Sequence, residues 1–213
     1  MQKSFGLRAF FILGLSALAI VGAGVSLSPG VAVAAKRTTP KLPSDAVPAE
    51  PQDRHKVLNE LYTRLASAED DNSAKMLAGA IEQMWLYSGS DTVNLLMERA
   101  IQALGKEDRS LALKLLDAVI GLAPDYAEGW NRRAYVLFLD NDYSASVADL
   151  KQVLRLDPNH FKAIDGLGHI LREVGDKAGA LMTYRYLLKV NPYADGAKDV
   201  LKDLEKEVQG DEL

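Results

Sequence analysis

The sequence of 213 residues contains no cysteine. Disulfide bonds and cysteine-ligated zinc are therefore excluded as stabilising devices. The absence also excludes a bacterial lipoprotein, whose lipid anchor is attached to a cysteine. Burial of apolar side chains has to stabilise the fold, and the 160 residues from Arg54 onward are enough for one domain with a sizeable apolar interior.

Signatures of catalysis are lacking as well. The chain has no glycine-rich phosphate loop, no Gly-x-Ser-x-Gly turn and no zinc-binding pair of histidines. The formal net charge is −4, and an acidic protein is a poor general ligand for nucleic acids or anionic membrane surfaces. The sequence therefore predicts a protein that is not an enzyme, needs no cofactor or metal and binds no nucleic acid.

The N-terminal segment has the pattern of a secretory signal peptide. Lys3 and Arg8 precede a run of 17 apolar residues, 9–25, which a Ser-Pro-Gly breaker and small residues follow. We predict a signal peptide over residues 1–35, cleaved after Ala34 or Ala35, and a mature chain that is exported to a bacterial periplasm without membrane insertion. The alternative is an uncleaved anchor that holds the chain to the inner membrane, facing the periplasm, since such a run spans roughly 26 Å of a bilayer core about 30 Å thick.

Residues 36–52 contain four prolines among small and polar residues. Proline at this density does not support helix or sheet. The segment is predicted to be a disordered linker between the signal peptide and the folded part of the chain.

Proline recurs at a fixed interval in the C-terminal half, where Pro124, Pro158 and Pro192 are 34 residues apart. A constant interval of this length indicates a repeat protein. It divides the chain without gaps into windows 93–126, 127–160 and 161–194. Because the residue before a proline is driven out of the helical region, each proline is expected to end the second helix of its window.

Small residues occupy the eighth and the twentieth place of every window. They are Ala100, Ala134, Gly168, Ala112, Ser146 and Ala180. This pattern resembles the tetratricopeptide-repeat (TPR) family, in which the two antiparallel helices of a repeat touch most closely at these places. The resemblance implies an all-α solenoid whose inner, concave surface, lined by the first helix of each repeat, binds a peptide or helix of another protein.

The segments that flank the windows are also predicted to be helical. Residues 53–92 are expected to form a helix pair, either a degenerate repeat or an N-terminal cap, with Trp85 packed on the first repeat. Residues 195–213 are expected to form a capping helix and tail. Within the repeats, Asp142 and Asp176 should cap the second helices, while Asp125 and Glu128 should form a capping box at the start of the second repeat.

Outward-facing places on the first helices predict the residues of the binding groove. These are Asn131, Arg132, Tyr135, Phe138, Lys162, His169 and Arg172. Tyr135 and Phe138 are expected to anchor the ligand, although Phe138 could equally lie in the core between repeats, and the polar side chains could hold its backbone or carboxylates. Of the lysine, asparagine and arginine set by which some TPR domains grip the acidic C-terminus of chaperones, only Lys162 stands at a matching place. Binding of such a tail is therefore not predicted.

The main hypothesis is a scaffold or adaptor of the bacterial cell envelope that binds another protein; the sequence leaves its partner and its oligomeric state open. A rival hypothesis places a metal or acid–base site at Asp165, His169 and Glu173, which lie four residues apart on one helix face. An ordinary solvated helix face is the simpler interpretation of this pattern. A third possibility is a structural protein that associates with itself through its end helices.

Overall fold

The computed structural model describes residues 51–211, with side chains from residue 54 to residue 210. Within this range every regular element is a helix, in the order α1 Pro51–Ala66, α2 Asp71–Trp85, α3 Asp91–Gly105, α4 Arg109–Leu122, α5 Ala127–Leu139, α6 Tyr143–Leu156, α7 Phe161–Glu173, α8 Lys177–Val190 and α9 Ala197–Asp211. The prediction of an all-α fold is confirmed. No helix in the described range combines the length and the apolar character needed to cross a membrane.

The first two segments of the sequence prediction lie almost entirely outside the described residues. The signal peptide over 1–35 is one of them, and so is most of the linker over 36–52. The end of that linker is corrected, because α1 already begins at Pro51. Proline suits the first turn of a helix, where a backbone N–H has no helical partner to lose.

Each repeat turns between its two helices with the same local chemistry. Asp142 and Asp176 accept hydrogen bonds from the backbone N–H groups three residues later, as predicted, and Asp108 does the same in the first repeat. The residue before each aspartate has a positive φ, and Gly175 with φ +82° takes this place in the third repeat. Aspartate satisfies a free amide at the start of the second helix, and glycine adopts the left-handed turn without steric cost.

The capping box expected at Asp125 and Glu128 is wrong. Helix α5 begins at Ala127, with Tyr126 as its N-cap residue, and no side chain caps it. The Glu128 carboxylate instead binds side chains within the protein interior. The short sequence pattern could not reveal these competing partners, because they lie further along the same helix and just before α7.

The small residues lie where the paired helices cross, as predicted. All of those in the eighth and twentieth places that carry a side chain are buried, and the Ser146 hydroxyl donates a 2.7 Å hydrogen bond to the Ala134 carbonyl of the facing helix. A Cβ atom at Gly168 would lie 2.8 Å from the Tyr184 ring. Close approach of the helices in each repeat therefore depends on the absence of bulk at these places.

The repeats stack through the third and tenth places of each window, which lie on its first helix. Val136 and Ile170, at the tenth place, are fully buried against the preceding repeat. The first repeat has Gln102 there, which is exposed, and Leu95 at its third place is 48% exposed. The face of α3 that would receive an earlier repeat is therefore partly polar and open to solvent.

The N-terminal helix pair α1–α2 does not extend the stack on this open face. Its buried Leu65 and Ile81 belong to the core cluster that contains Phe161, Ile164 and other residues of α7 and α8. The Trp85 ring stacks on the His160 ring at 3.8 Å, with 6° between the ring planes. The prediction that Trp85 packs on the first repeat is corrected, because its ring lies at the junction of the second and third repeats.

Candidate functional site

Helices α3, α5 and α7 form one surface of the repeats, which we call the inner surface. On α5, this surface carries a buried polar cluster around Glu128, whose side chain is 2% exposed. Its carboxylate accepts hydrogen bonds from Arg132 Nε at 2.5 Å and Asn131 Nδ2 at 2.8 Å. His160 Nε2 lies 3.2 Å from the same carboxylate. Since Nδ1 of that ring accepts a hydrogen bond from the Ala163 amide, the ring hydrogen is on Nε2 and points to Glu128.

The charge of Glu128 is stabilised by these partners. Burial alone would raise its pKa, but the positive charge of Arg132 and the hydrogen bonds from His160 and Asn131 outweigh burial and lower the pKa to about 2. The pKa of Arg132 is raised in turn, because the charge of Glu128 outweighs the effect of burial. The cluster is thus an internal ion pair that is charged at neutral pH.

The N-terminal helix pair covers the edge of this cluster. Trp85 lies on His160, and its Nε1 donates a 2.9 Å hydrogen bond to the Tyr62 hydroxyl. That hydroxyl donates to Asp157 Oδ2 at 2.5 Å. A cleft of about 460 Å³ remains between α1, the turn after α2 and the loops around residues 125–128 and 156–159. The N-terminal helix pair therefore occupies the edge of the inner surface near the loops between repeats.

The inner surface of the third repeat carries a second polar pair on α7. Asp165 Oδ1 and His169 Nε2 are 3.7 Å apart, and their side chains are 22% and 31% exposed. Burial raises the pKa of Asp165 to about 7, partly offset by Lys162 and reinforced by Asp195. Burial, together with the positive charge of Arg172, lowers the pKa of His169 to about 4. Near neutral pH, His169 is therefore uncharged and Asp165 is about half ionised, whereas Glu128 is fully ionised.

The structure divides the predicted groove residues into three groups. Asn131 and Arg132 are engaged with Glu128, and Lys162 Nζ lies 3.3 Å from Glu82 of α2. Phe138 is 5% exposed and packs on Tyr143 in the core, so its assignment to the groove is corrected. Phe138 belongs to the core cluster that also contains Ala163 and Ile170 of α7.

The third group is formed by the remaining predicted groove residues, which lie toward the end of α5 and α7. They are Tyr135, His169 and Arg172. Tyr135 is partly buried, His169 is partly exposed and Arg172 is exposed. On α5 and α7, this part of the inner surface keeps access to solvent, most of all at Arg172.

The rival metal site is not formed by the three residues that suggested it. Asp165 and His169 approach each other, but Glu173 is exposed at the last turn of α7. Among the described side chains, no group of three or more histidines, cysteines or acidic residues is placed to hold a metal ion.

Sequence reasoning missed the residues that dock the N-terminal pair, above all His160 and Tyr62. His160 lies at the junction between two windows, where no sequence motif marks it, yet its side chain is fully buried. One signal was available in the sequence. Arg99 and Gln102 make the open face of α3 partly polar, whereas the corresponding face of α7, which packs on the second repeat, presents Leu167 and Ile170. A polar stacking face indicates the end of an array rather than a place for a further helix pair.

Comparison with known proteins identifies the family. Residues 127–160 match the model of the tetratricopeptide repeat. A TPR repeat-containing protein of Rhizobium etli is 35% identical over 153 residues, which cover 72% of this chain and 75% of the relative. The chain belongs to the TPR family.

Solved structures agree with the TPR solenoid fold. The first TPR of Spaghetti (RPAP3) bound to the HSP90 peptide SRMEEVD superposes with a TM-score of 0.54 at 16% identity, covering 56% of this chain and 95% of that one. The TPR2B domain of yeast Sti1, in complex with pHsp70, gives 0.51 at 21% identity, covering 55% and 99%. TPR domains are generally scaffolds for protein–protein interaction, and proteins of the family are typically non-catalytic adaptors.

Proposed function

We propose that this protein is a non-catalytic adaptor of the bacterial cell envelope that binds a segment of another protein on its inner surface. The observation that carries the proposal is the accessible part of that surface at the ends of α5 and α7. Tyr135, His169 and Arg172 there combine an aromatic side chain, a polar ring and a cation. Aromatic and arginine side chains provide much of the binding free energy at protein interfaces.

The accessible region lies on two adjacent first helices, and α5 contacts α7 directly. A ligand that crosses both helices would be an extended peptide or a single helix, which are the shapes that a groove between helices accepts. Two structural neighbours are complexes, one with an HSP90 peptide and one with pHsp70. Support for the same ligands is weak here, since Lys162, the one residue at a matching place, is paired with Glu82.

The proposed location is the periplasm, reached by the signal peptide predicted over residues 1–35. The alternative keeps this segment as an anchor in the inner membrane, so that the protein becomes a tethered assembly factor. The mass and N-terminal sequence of the protein isolated from cell fractions separate the two. A periplasmic chain beginning at Ala35 or Lys36 supports export and cleavage, a full-length chain in the inner membrane supports the anchor, and a full-length cytoplasmic chain contradicts both.

Site-specific photocrosslinking in intact cells tests the binding surface. A crosslinking amino acid replaces Tyr135, and a matched control replaces Met182, which is 66% exposed on α8 outside the inner surface. We expect a discrete polypeptide to be captured from position 135 but not from 182, and Arg172→Ala to weaken the capture from 135. Capture of the same polypeptides from both positions, or unchanged capture in the Arg172→Ala protein, would show that this surface is not the binding site.

A further inference from the structure

The N-terminal helix pair is hydrogen-bonded to all three junctions that follow a repeat. At the first junction the Tyr126 hydroxyl donates to the Trp85 carbonyl at 2.8 Å. At the second, the Tyr62 hydroxyl donates to Asp157. At the third, the Tyr193 hydroxyl donates to the Glu69 carbonyl at 2.7 Å. One helix pair therefore runs along the edge of the array and meets every repeat boundary in turn.

The pair is held by apolar contacts as well as by these hydrogen bonds. Leu65 and Ile81 are fully buried, and Tyr62 and Trp85 are 4% and 5% exposed. All four belong to the same core cluster as the third repeat. The bonds to the first and third junctions thus extend from an element that is already anchored at the second.

A plain solenoid lacks contacts of this kind. Each repeat touches only its neighbours, so that stability is a sum of local contributions and an end repeat can unfold while the others stay folded. The first repeat here is such an end, because its outer face is open to solvent. When one element contacts several junctions, unfolding one repeat alone also breaks contacts of that element. The free energy needed to unfold a single repeat is therefore higher.

We propose that helices α1 and α2 form a cross-brace that couples the three repeats into one cooperative unit and fixes the curvature of the inner surface. The brace joins boundaries that are separated along the array by one or two repeats. A ligand then meets a preformed surface and loses less free energy to ordering the protein. The inference concerns the folding unit and does not depend on the identity of a partner.

Native-state hydrogen exchange on a triple variant tests the brace. Tyr62→Phe, Tyr126→Phe and Tyr193→Phe together remove the three hydroxyl groups and keep the aromatic rings in the core. The matched control is Tyr143→Phe, which removes a hydroxyl that bonds only locally to Asn141 at 3.3 Å. In the unchanged protein, we expect the slowest-exchanging amides of α3 to α8 to share one free energy of opening, because the repeats unfold together.

In the triple variant, the amides of α3 and α4 should exchange at least about tenfold faster relative to those of α7 and α8, a factor equal to about 1.4 kcal/mol. The control should leave the ratio unchanged. An equal acceleration in all repeats, or no acceleration, would overturn the proposal, since it would mean ordinary loss of stability or no coupling. If the triple variant does not fold, Tyr126→Phe alone must accelerate exchange in α3 and α4 over α7 and α8, and failure to do so is equally decisive.

Discussion

The second and third repeats both carry a poorly exposed carboxyl group on the inner surface, but the pKa values of the two groups are shifted in opposite directions. Glu128 has Arg132, Asn131 and His160 around it, and its pKa falls to about 2. For Asp165, only the charge of Lys162 opposes the effect of burial, and the pKa rises to about 7. The amino acid types are similar, so the partners decide the state.

The difference separates an internal role from an external one. In the second repeat, the polar groups bind one another beneath the N-terminal pair, and they fix the junction with the third repeat. In the third repeat, Asp165 and His169 lie on the part of α7 that solvent reaches. Hydrogen bonds from a bound peptide could stabilise either group there. The polar groups of the third repeat are therefore better placed than those of the second to form hydrogen bonds with a ligand.

The largest expected effect comes from breaking the cluster of the second repeat. Glu128→Gln removes the charge that compensates Arg132, whose side chain is only 18% exposed. Loss of one partner of a buried ion pair costs about 3–5 kcal/mol, and we expect the lower end because Arg132 keeps some contact with water. Denaturant unfolding at pH 7 measures the change.

Glu98→Gln is the matched control for this experiment. Glu98 is exposed on α3 and accepts a 3.2 Å hydrogen bond from Gln102. Its substitution should change the free energy of unfolding by less than about 0.5 kcal/mol, as is usual for surface positions. Similar losses in both variants would mean that the Glu128 cluster has no special weight in the fold.

An intermediate effect is expected from the pair in the third repeat, and it depends on pH. The pKa of Asp165 is raised on folding, so this group stabilises the folded state below about pH 4 and loses that contribution as the pH rises to about 7. The pKa of His169 is lowered, so this group stabilises above about pH 6.5 and loses its contribution as the pH falls to about 4. The two contributions oppose each other in the same range.

Single variants should therefore reveal opposite slopes. Asp165→Asn leaves the histidine, and stability should fall by roughly 1–2 kcal/mol from pH 7 to pH 4 relative to the unchanged protein, an amount discounted for the partial exposure of the side chain. His169→Gln should produce the reverse change. Thermal unfolding across this range, compared with Glu173→Gln, checks both. Reversed slopes would show that the two residues form a charged pair instead.

The repeated part of the fold could be predicted because its determinants are local and recur. Ala134, Ser146 and Gly168 mark the helix crossings through their size alone, and Asp142 and Asp176 mark the turns through a bond to an amide three residues away. These interactions are contained within one window of the sequence. The proline and the cap therefore locate the second helix of the second and third repeats, whereas the proline alone marks it in the first.

The docking of the N-terminal pair could not be predicted in the same way. Tyr62 meets Asp157 across 95 residues, and no periodic pattern relates the two. Contacts with distant segments also explain why two of the groove predictions were incomplete or wrong. Lys162 occupies an outward-facing place, but a distant segment brings Glu82 to it, while Phe138 turns into the core because α6 presents Tyr143 there. Outward-facing places identify what a repeat could expose, and the remaining segments of the chain decide what it does expose.

The smallest expected effect concerns Lys162 of the third repeat, which pairs with Glu82 of the N-terminal helix pair. The two side chains are 34% and 40% exposed, and ion pairs in such positions contribute less than about 1 kcal/mol. Lys162→Gln should therefore change stability little, but it should raise the pKa of Asp165 further, because Lys162 lowers it in the unchanged protein. Nuclear magnetic resonance titration of the Asp165 carboxyl carbon measures the shift, with Lys114→Gln, an exposed site on α4, as control. A titration midpoint that stays in place would show that Lys162 is directed entirely to Glu82 and that the inner surface of the third repeat is electrostatically independent of the N-terminal pair.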